Sequence, residues 1–116
     1  MEYLVQMTLA AGARPSMAGE GMAFIEQFIL PTLELCKKLQ AERKIVAGGP
    51  VGGSVALALI VRADSNREVD ELVESLPVWP RMETTITPLI SFDERAQGVQ
   101  LRLHQLKALS TQQQPH

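Results

Sequence analysis

One carboxylate in this 116-residue sequence stands where proton chemistry is conceivable: Glu83, in the alternating stretch METTITPLI. A carboxylate in a partly closed apolar cavity has its charged form disfavoured, so its pKa rises and it can move a proton near neutral pH. On an open strand the same residue is an ordinary solvated carboxylate. His104, beside Leu103 and two residues before Leu106, is a weaker candidate base, since a histidine on a helix is more often a surface or packing residue. Arg62 and Arg81 each present paired donors suited to a substrate carboxylate, or to a surface ion pair. Gln6, Thr8 and Thr85 are neutral groups able to bind an oxygen that gains charge during reaction. Trp79, between two prolines in LPVWPRM, either anchors the start of the following strand, packs at a subunit contact or stacks on a ligand.

Other chemistries are excluded by what is missing. The single cysteine, Cys36, cannot form an internal disulfide, and with His104 and His116 it gives no metal-ligand spacing, so no structural metal is expected. Cys36 falls on the apolar side of a helical pattern and reads as a buried structural thiol rather than a nucleophile. The segment Gly48-Gly49-Pro50-Val51-Gly52-Gly53 lacks the Lys-Ser/Thr ending of a phosphate loop and precedes a strand, so it reads as a flexible turn that lets backbone approach a ligand. Eleven basic residues against thirteen acidic ones, with no basic cluster, argue against nucleic acid as a partner. No run approaches the ~20 apolar residues that span a bilayer, and Met1-Glu2-Tyr3 opens without a basic leader, so no membrane partner and a cytoplasmic location are expected. With 46% hydrophobic and 21% charged residues the chain reads as an ordinary globular domain.

The elements that must position these groups follow from periodicity. Residues 2–9 alternate as a strand, with Tyr3, Val5, Met7 and Leu9 on one side. Gly12, Pro15, Gly19 and Gly21 predict irregular chain up to an amphipathic helix over Met22–Arg43, which Pro31 should kink or split into a pair. A short strand over Lys44–Ala47, the glycine turn and a strand over Ser54–Ala63 come next. Asp64-Ser65-Asn66 caps a second helix that ends at Pro77, and 82–92 form a fourth strand, at an edge or with a bulge, because Pro88 cannot donate to a central ladder. Asp93-Glu94 opens a last helix carrying Val99, Leu103, Leu106 and Leu109. The expected class is α+β: a ferredoxin-like βαββαβ antiparallel sheet over 1–92, an appended C-terminal helix over 93–110 packing on a neighbouring subunit, and a frayed tail over 111–116.

A sheet with helices on one side leaves its other side to be covered, and a homodimer closing two sheets into a dimeric α+β barrel does this economically. Val55, Leu57, Leu59 and Val61 share a register and belong under the helices. Ser54, Ala56, Ala58, Ile60 and Arg62 then share the opposite side with Gln6, Thr8, Glu83, Thr85 and Thr87, where small residues leave space and polar groups converge. That side is either a small-molecule site or a wet dimer interface.

The stretch ELVESLPVWPRMETTIT over Glu71–Thr87 resembles the muconolactone isomerase family, as do the start YLVQMTL and the helix end KKLQAERKI. The resemblance implies a ferredoxin-like protein that associates through its sheets into rings, with a C-terminal segment reaching a neighbour. It also implies a cofactor-free isomerase that shifts a proton and a double bond in an unsaturated lactone during breakdown of aromatic compounds. By strand parity and chemistry, Glu83 would then serve as the acid/base group, Gln6 or Thr8 as the oxygen donor, and Arg62 or Arg81 as a carboxylate clamp. Ile45–Gly53 departs from the family by offering no charge where basic, histidine and aromatic residues stand, which implies a less polar substrate or a fold kept without activity. Two alternatives stand beside the isomerase: a non-catalytic dimeric small-ligand-binding or scaffold protein of the same fold, and a cofactor-free oxygenase or dehydratase of the dimeric α+β barrel group.

Overall fold

Alternation along the chain decides which side of each strand is covered. In the computed structural model, which describes residues 1–113, Tyr3, Val5 and Met7 of β1 (Glu2–Leu9) are buried while Glu2, Gln6 and Thr8 are exposed. Leu57, Leu59 and Val61 repeat the pattern in β3 (Ala56–Arg62), as Met82, Thr84 and Ile86 do less completely in β4 (Met82–Leu89). With β2 (Ile45–Pro50) these strands form one antiparallel sheet in the order β2-β3-β1-β4. Helices cover only one of its sides, which gives the expected ferredoxin-like α+β architecture, with β4 and its Pro88 at an edge.

The first helical segment differs from expectation at both its start and its proline. Helix α1 (Ala18–Phe24) begins four residues before Met22, despite Gly19 and Gly21, and continues through one π turn (Ile25–Ile29) into α2 (Leu30–Ala41). Pro31 has no N–H to donate and its ring crowds the carbonyl four residues back, that of Gln27. Gln27 lies within the π turn, where the wider loop of backbone relieves that clash, so the rod passes the proline without dividing into two separate helices.

The glycine segment also differs. β2 runs on through Gly48 and Gly49 to Pro50 instead of ending at Ala47, with a register irregularity between Ile45 and Ala47. Gly48 has φ +96°, and a Cβ there would strike the Ala58 carbonyl oxygen, so this close strand approach requires glycine. Only the remainder is a turn, closed by Val51 N–H donating to the Ala56 carbonyl at 2.9 Å, which starts β3 at Ala56 and leaves Ser54 in the turn.

Reciprocal caps start the last two helices. Ser65 Oγ accepts from Glu68 N–H at 3.1 Å while the Glu68 carboxylate accepts from Asp64 N–H at 2.9 Å, opening α3 (Asn66–Glu74). The same exchange between Ser91 and Glu94 opens α4 (Phe92–Gln113), so β4 stops at Leu89 rather than at 92. α4 runs past the expected end at 110, through Gln113; residues 114–116, the rest of the expected frayed tail, lie outside the described residues.

The core joins the covered side of the sheet to Phe24, Leu39, Val69, Val73 and Leu76. Two polar groups are built into it with partners: Tyr3 Oη donates to Asn66 Oδ1 at 2.9 Å, and Thr32, 2% exposed, accepts from Val78 N–H at 3.0 Å. α4 takes no part: every residue of it through Gln112 is exposed.

Candidate functional site

The pairing of strands sets the open side of the sheet out in rows. Thr8 of β1 stands opposite Glu83 of β4 and Ala56 of β3; the next row is Thr85, Gln6, Ala58 and Gly49, and the next Thr87, Leu4, Ile60 and Ala47. Directly opposed residues of an antiparallel pair hold their Cβ atoms ~5 Å apart, so Glu83 and Thr8 can reach one small molecule together, with Gln6 and Thr85 one row away. Gly49, Ala56 and Ala58 beside them carry little or no side chain. All four polar side chains are exposed in the single chain, so this is a floor that lacks a roof.

The remaining candidates stand elsewhere. Arg62 is on the same side, but in the row of Glu2 and Leu89, six residues along β1 from Thr8, or ~20 Å at the rise of a strand. There it pairs with the Glu2 carboxylate at 4.0 Å, both side chains being about half exposed, a contact of small energetic weight. Arg81 lies on the helix side, its guanidinium 5.0 Å from the centre of the Phe28 ring, in a polar depression with Arg14 and Glu20. Trp79 is partly exposed beside Asp70, Met82, Thr84 and Ile86, again on the helix side of β4. His104 is on α4, twelve residues and ~18 Å of helix beyond Phe92. The structure thus brings together Glu83, Thr8, Gln6 and Thr85, and separates them from both arginines, Trp79 and His104.

A recess open to solvent lies on the other side of the sheet. A cavity of about 180 Å³ lies between α2 and the sheet, lined by Ile29, Thr32, Leu33, Val55, Leu57, Val78 and Met82, with Pro50, Ser54 and Ala56 at its rim. A dry apolar cavity of ~150 Å³ accepts a benzene ring, so this space fits a small unsaturated ring. Its only side-chain polar groups are the Thr32 and Ser54 hydroxyls, and no ionisable group lines it. Thr32 was visible in the sequence as a threonine at an apolar helical position.

A wider groove continues from it along α2 and β2 past Cys36, whose thiol pKa is raised by burial, as befits a structural thiol rather than a nucleophile. Among the described residues no group of three or more His, Cys, Asp or Glu is placed to hold a metal ion, and no helix is long and apolar enough to cross a membrane.

A family model described as muconolactone delta-isomerase matches residues 1–95. The fold is similar to that of a crystal structure of muconolactone isomerase, with a TM-score of 0.62 and 22% identity over 78% of this chain and 90% of that one. No curated protein matches. The family match stops within the first turn of α4, so most of that helix lies beyond it.

Proposed function

The chain belongs to the muconolactone delta-isomerase family, and from that premise we propose that it is a cofactor-free isomerase moving a proton, and with it a double bond, within a small unsaturated lactone. The observation that carries this reading is the opposition of Glu83 and Thr8, with Gln6 and Thr85 in the adjoining row. Glu83 takes the proton from the ring carbon next to the carbonyl and returns it two carbons further along the unsaturated system, so the double bond shifts and no group is lost. The Thr8 hydroxyl and Gln6 amide donate to the carbonyl oxygen while it carries the charge of the enolate. With β2 uncharged, Arg62 ~20 Å along the strand and Arg81 on the far side, nothing is at hand to clamp a carboxylate. A neutral lactone therefore suits the site better than an acid.

The roof is a second copy of the chain. Leu4, Ile60, Ala56 and Ala58 make the open side apolar enough to associate, and closing two sheets on each other would exclude water from around Glu83 and its substrate. The test is deuterium wash-in from heavy water into small butenolides, followed by NMR, for the wild type and Glu83→Gln. Loss of about 100-fold or more in the variant is expected for removal of the acid–base group. Equal rates in both proteins would end the assignment.

A second reading rests on the cavity beneath α2. Apolar, ring-sized and with no ionisable group in its lining among the described residues, it suits a protein that binds a small apolar ring and does nothing to it. Leu33→Trp should fill it: under this reading ring binding, seen as NMR shifts at Val55 and Met82, disappears while the response of lactone exchange to Glu83→Gln stays as in the parent.

A further inference from the structure

The apolar residues of α4 repeat with a spacing that nothing in its own chain uses. Phe92, Ala96, Val99, Leu103 and Leu106 follow one another at intervals of four, three, four and three residues, the alternation that keeps one seam along a helix facing a second helix. In the single chain the seam is bare: Phe92 is 96% exposed, Val99 56%, Leu103 50% and Leu106 46%. An isolated helix is marginal in water without a packed apolar face, and Gly98 in its middle weakens it further. The capping exchange at Ser91 and Glu94 nevertheless commits the chain to a rod of 22 residues, ~33 Å long.

We infer that α4 pairs antiparallel with α4 of a second copy. Charge decides both the occupant and its direction. On one flank of the seam stand Asp93, Gln100 and Lys107; on the other stand Arg95, Arg102 and Leu109. In a parallel pair opposite flanks meet, and Arg102 of each chain lies beside Lys107 of the other, two like-charge contacts. In an antiparallel pair each flank meets its own copy. With Val99 packed against Leu103 of the second helix, Asp93 comes beside Lys107 twice, and Ala96 meets Leu106. The one like pair, Arg102 against its copy, involves long side chains that can swing their charged ends into water. The helix is thus complementary to itself when reversed, as a two-fold interface requires. This pairing is separate from the closing of the sheets: a protein with both contacts assembles beyond the dimer.

Disulfide trapping in the full-length chain tests direction as well as occupancy. In a Cys36→Ser background, a mixture of Val99→Cys and Leu103→Cys proteins should cross-link at least about tenfold faster than either alone and than the outward-facing Gln105→Cys, because only opposed positions bring Cβ atoms within disulfide reach. Leu103→Glu, which changes no residue of the folded core, should lower the sedimenting mass to about half by breaking one two-fold contact. Val99→Cys cross-linking to itself as fast as in the mixture would mean a parallel pair and overturn the inference. Rates equal to the Gln105→Cys control, or a mass indifferent to Leu103→Glu, would mean that α4 lies on some other surface and overturn it as well. A protein that keeps the sheet-to-sheet dimer but not the α4 contact refutes this inference while leaving the lactone site standing.

Discussion

The two sides of one sheet carry opposite obligations. Met7 is fully buried and its neighbour Thr8 exposed; Leu59 lies in the core and Ala58, one residue before it, faces outward. The strand period of two gives each residue to one side or the other and lets neither set interfere with its alternate. The side beneath the helices supplies the hydrophobic stabilisation through Tyr3, Val5, Met7, Leu57, Leu59 and Val61. The other side is left free to carry a carboxylate, an amide and hydroxyls with little consequence for the fold. The chemistry of a protein this small is therefore cheapest to place on strands the core already holds in register.

The largest test of that division is Leu59→Ala, expected to cost about 2–5 kcal/mol in urea unfolding through lost burial and the cavity left behind. Thr85→Ala, on the open side, should change stability by no more than about 0.5 kcal/mol. A Thr85→Ala cost comparable to that of Leu59→Ala would mean the open side is itself a core, tightly packed on a second copy, and would break the distinction. Next in size is the paired comparison of Gly48 and Gly49. Gly48→Ala must force a Cβ into the Ala58 carbonyl at positive φ and should cost about 1–3 kcal/mol. A Cβ at Gly49 meets nothing within 4 Å, and Gly49→Ala should be neutral or stabilising by up to about 1 kcal/mol through the unfolded chain. Unfolding midpoints for the two variants, moving in opposite directions, would fix the glycine requirement on a single residue.

The same contrast explains how much could be read from the chain. The four strands, their sides and the convergence of Glu83, Thr8, Gln6 and Thr85 are matters of parity, and parity survives small errors in where a strand ends. What failed to appear was whatever depends on distance along or through the sheet. Arg62 shares a side with Glu83 by parity, yet antiparallel pairing puts it at the opposite end of β1. Arg81 and Trp79 sit in a short 3₁₀ turn (Trp79–Arg81), where the period of two does not apply, and both turn towards the helices. The π turn before Pro31 and the run of β2 through Gly48 are backbone accommodations to a neighbour, and no local pattern encodes them. The cavity beneath α2 was illegible for a different reason: its lining residues, such as Ile29, Thr32, Val55, Val78 and Met82, come from segments far apart in the chain.

The finest comparison concerns two threonines on the helix side that look alike in sequence. Thr32 and Thr84 both face the packed layer, and their hydroxyls differ only in what they meet. Thr32 Oγ1 accepts the Val78 N–H at 3.0 Å, holding the turn after α3 against α2. Thr84 Oγ1 is enclosed and has no hydrogen-bond partner among the described residues. Valine has nearly the same shape as threonine. Thr32→Val therefore strands a buried N–H and should cost about 1–3 kcal/mol, whereas Thr84→Val removes a hydroxyl that already lacks a partner and should be neutral or slightly stabilising. The two variants differ by one oxygen at two places in a single layer, so unequal unfolding midpoints would isolate the value of a partner from the value of burial. Equal midpoints would instead mean that Thr84 finds a hydrogen-bond partner in solution.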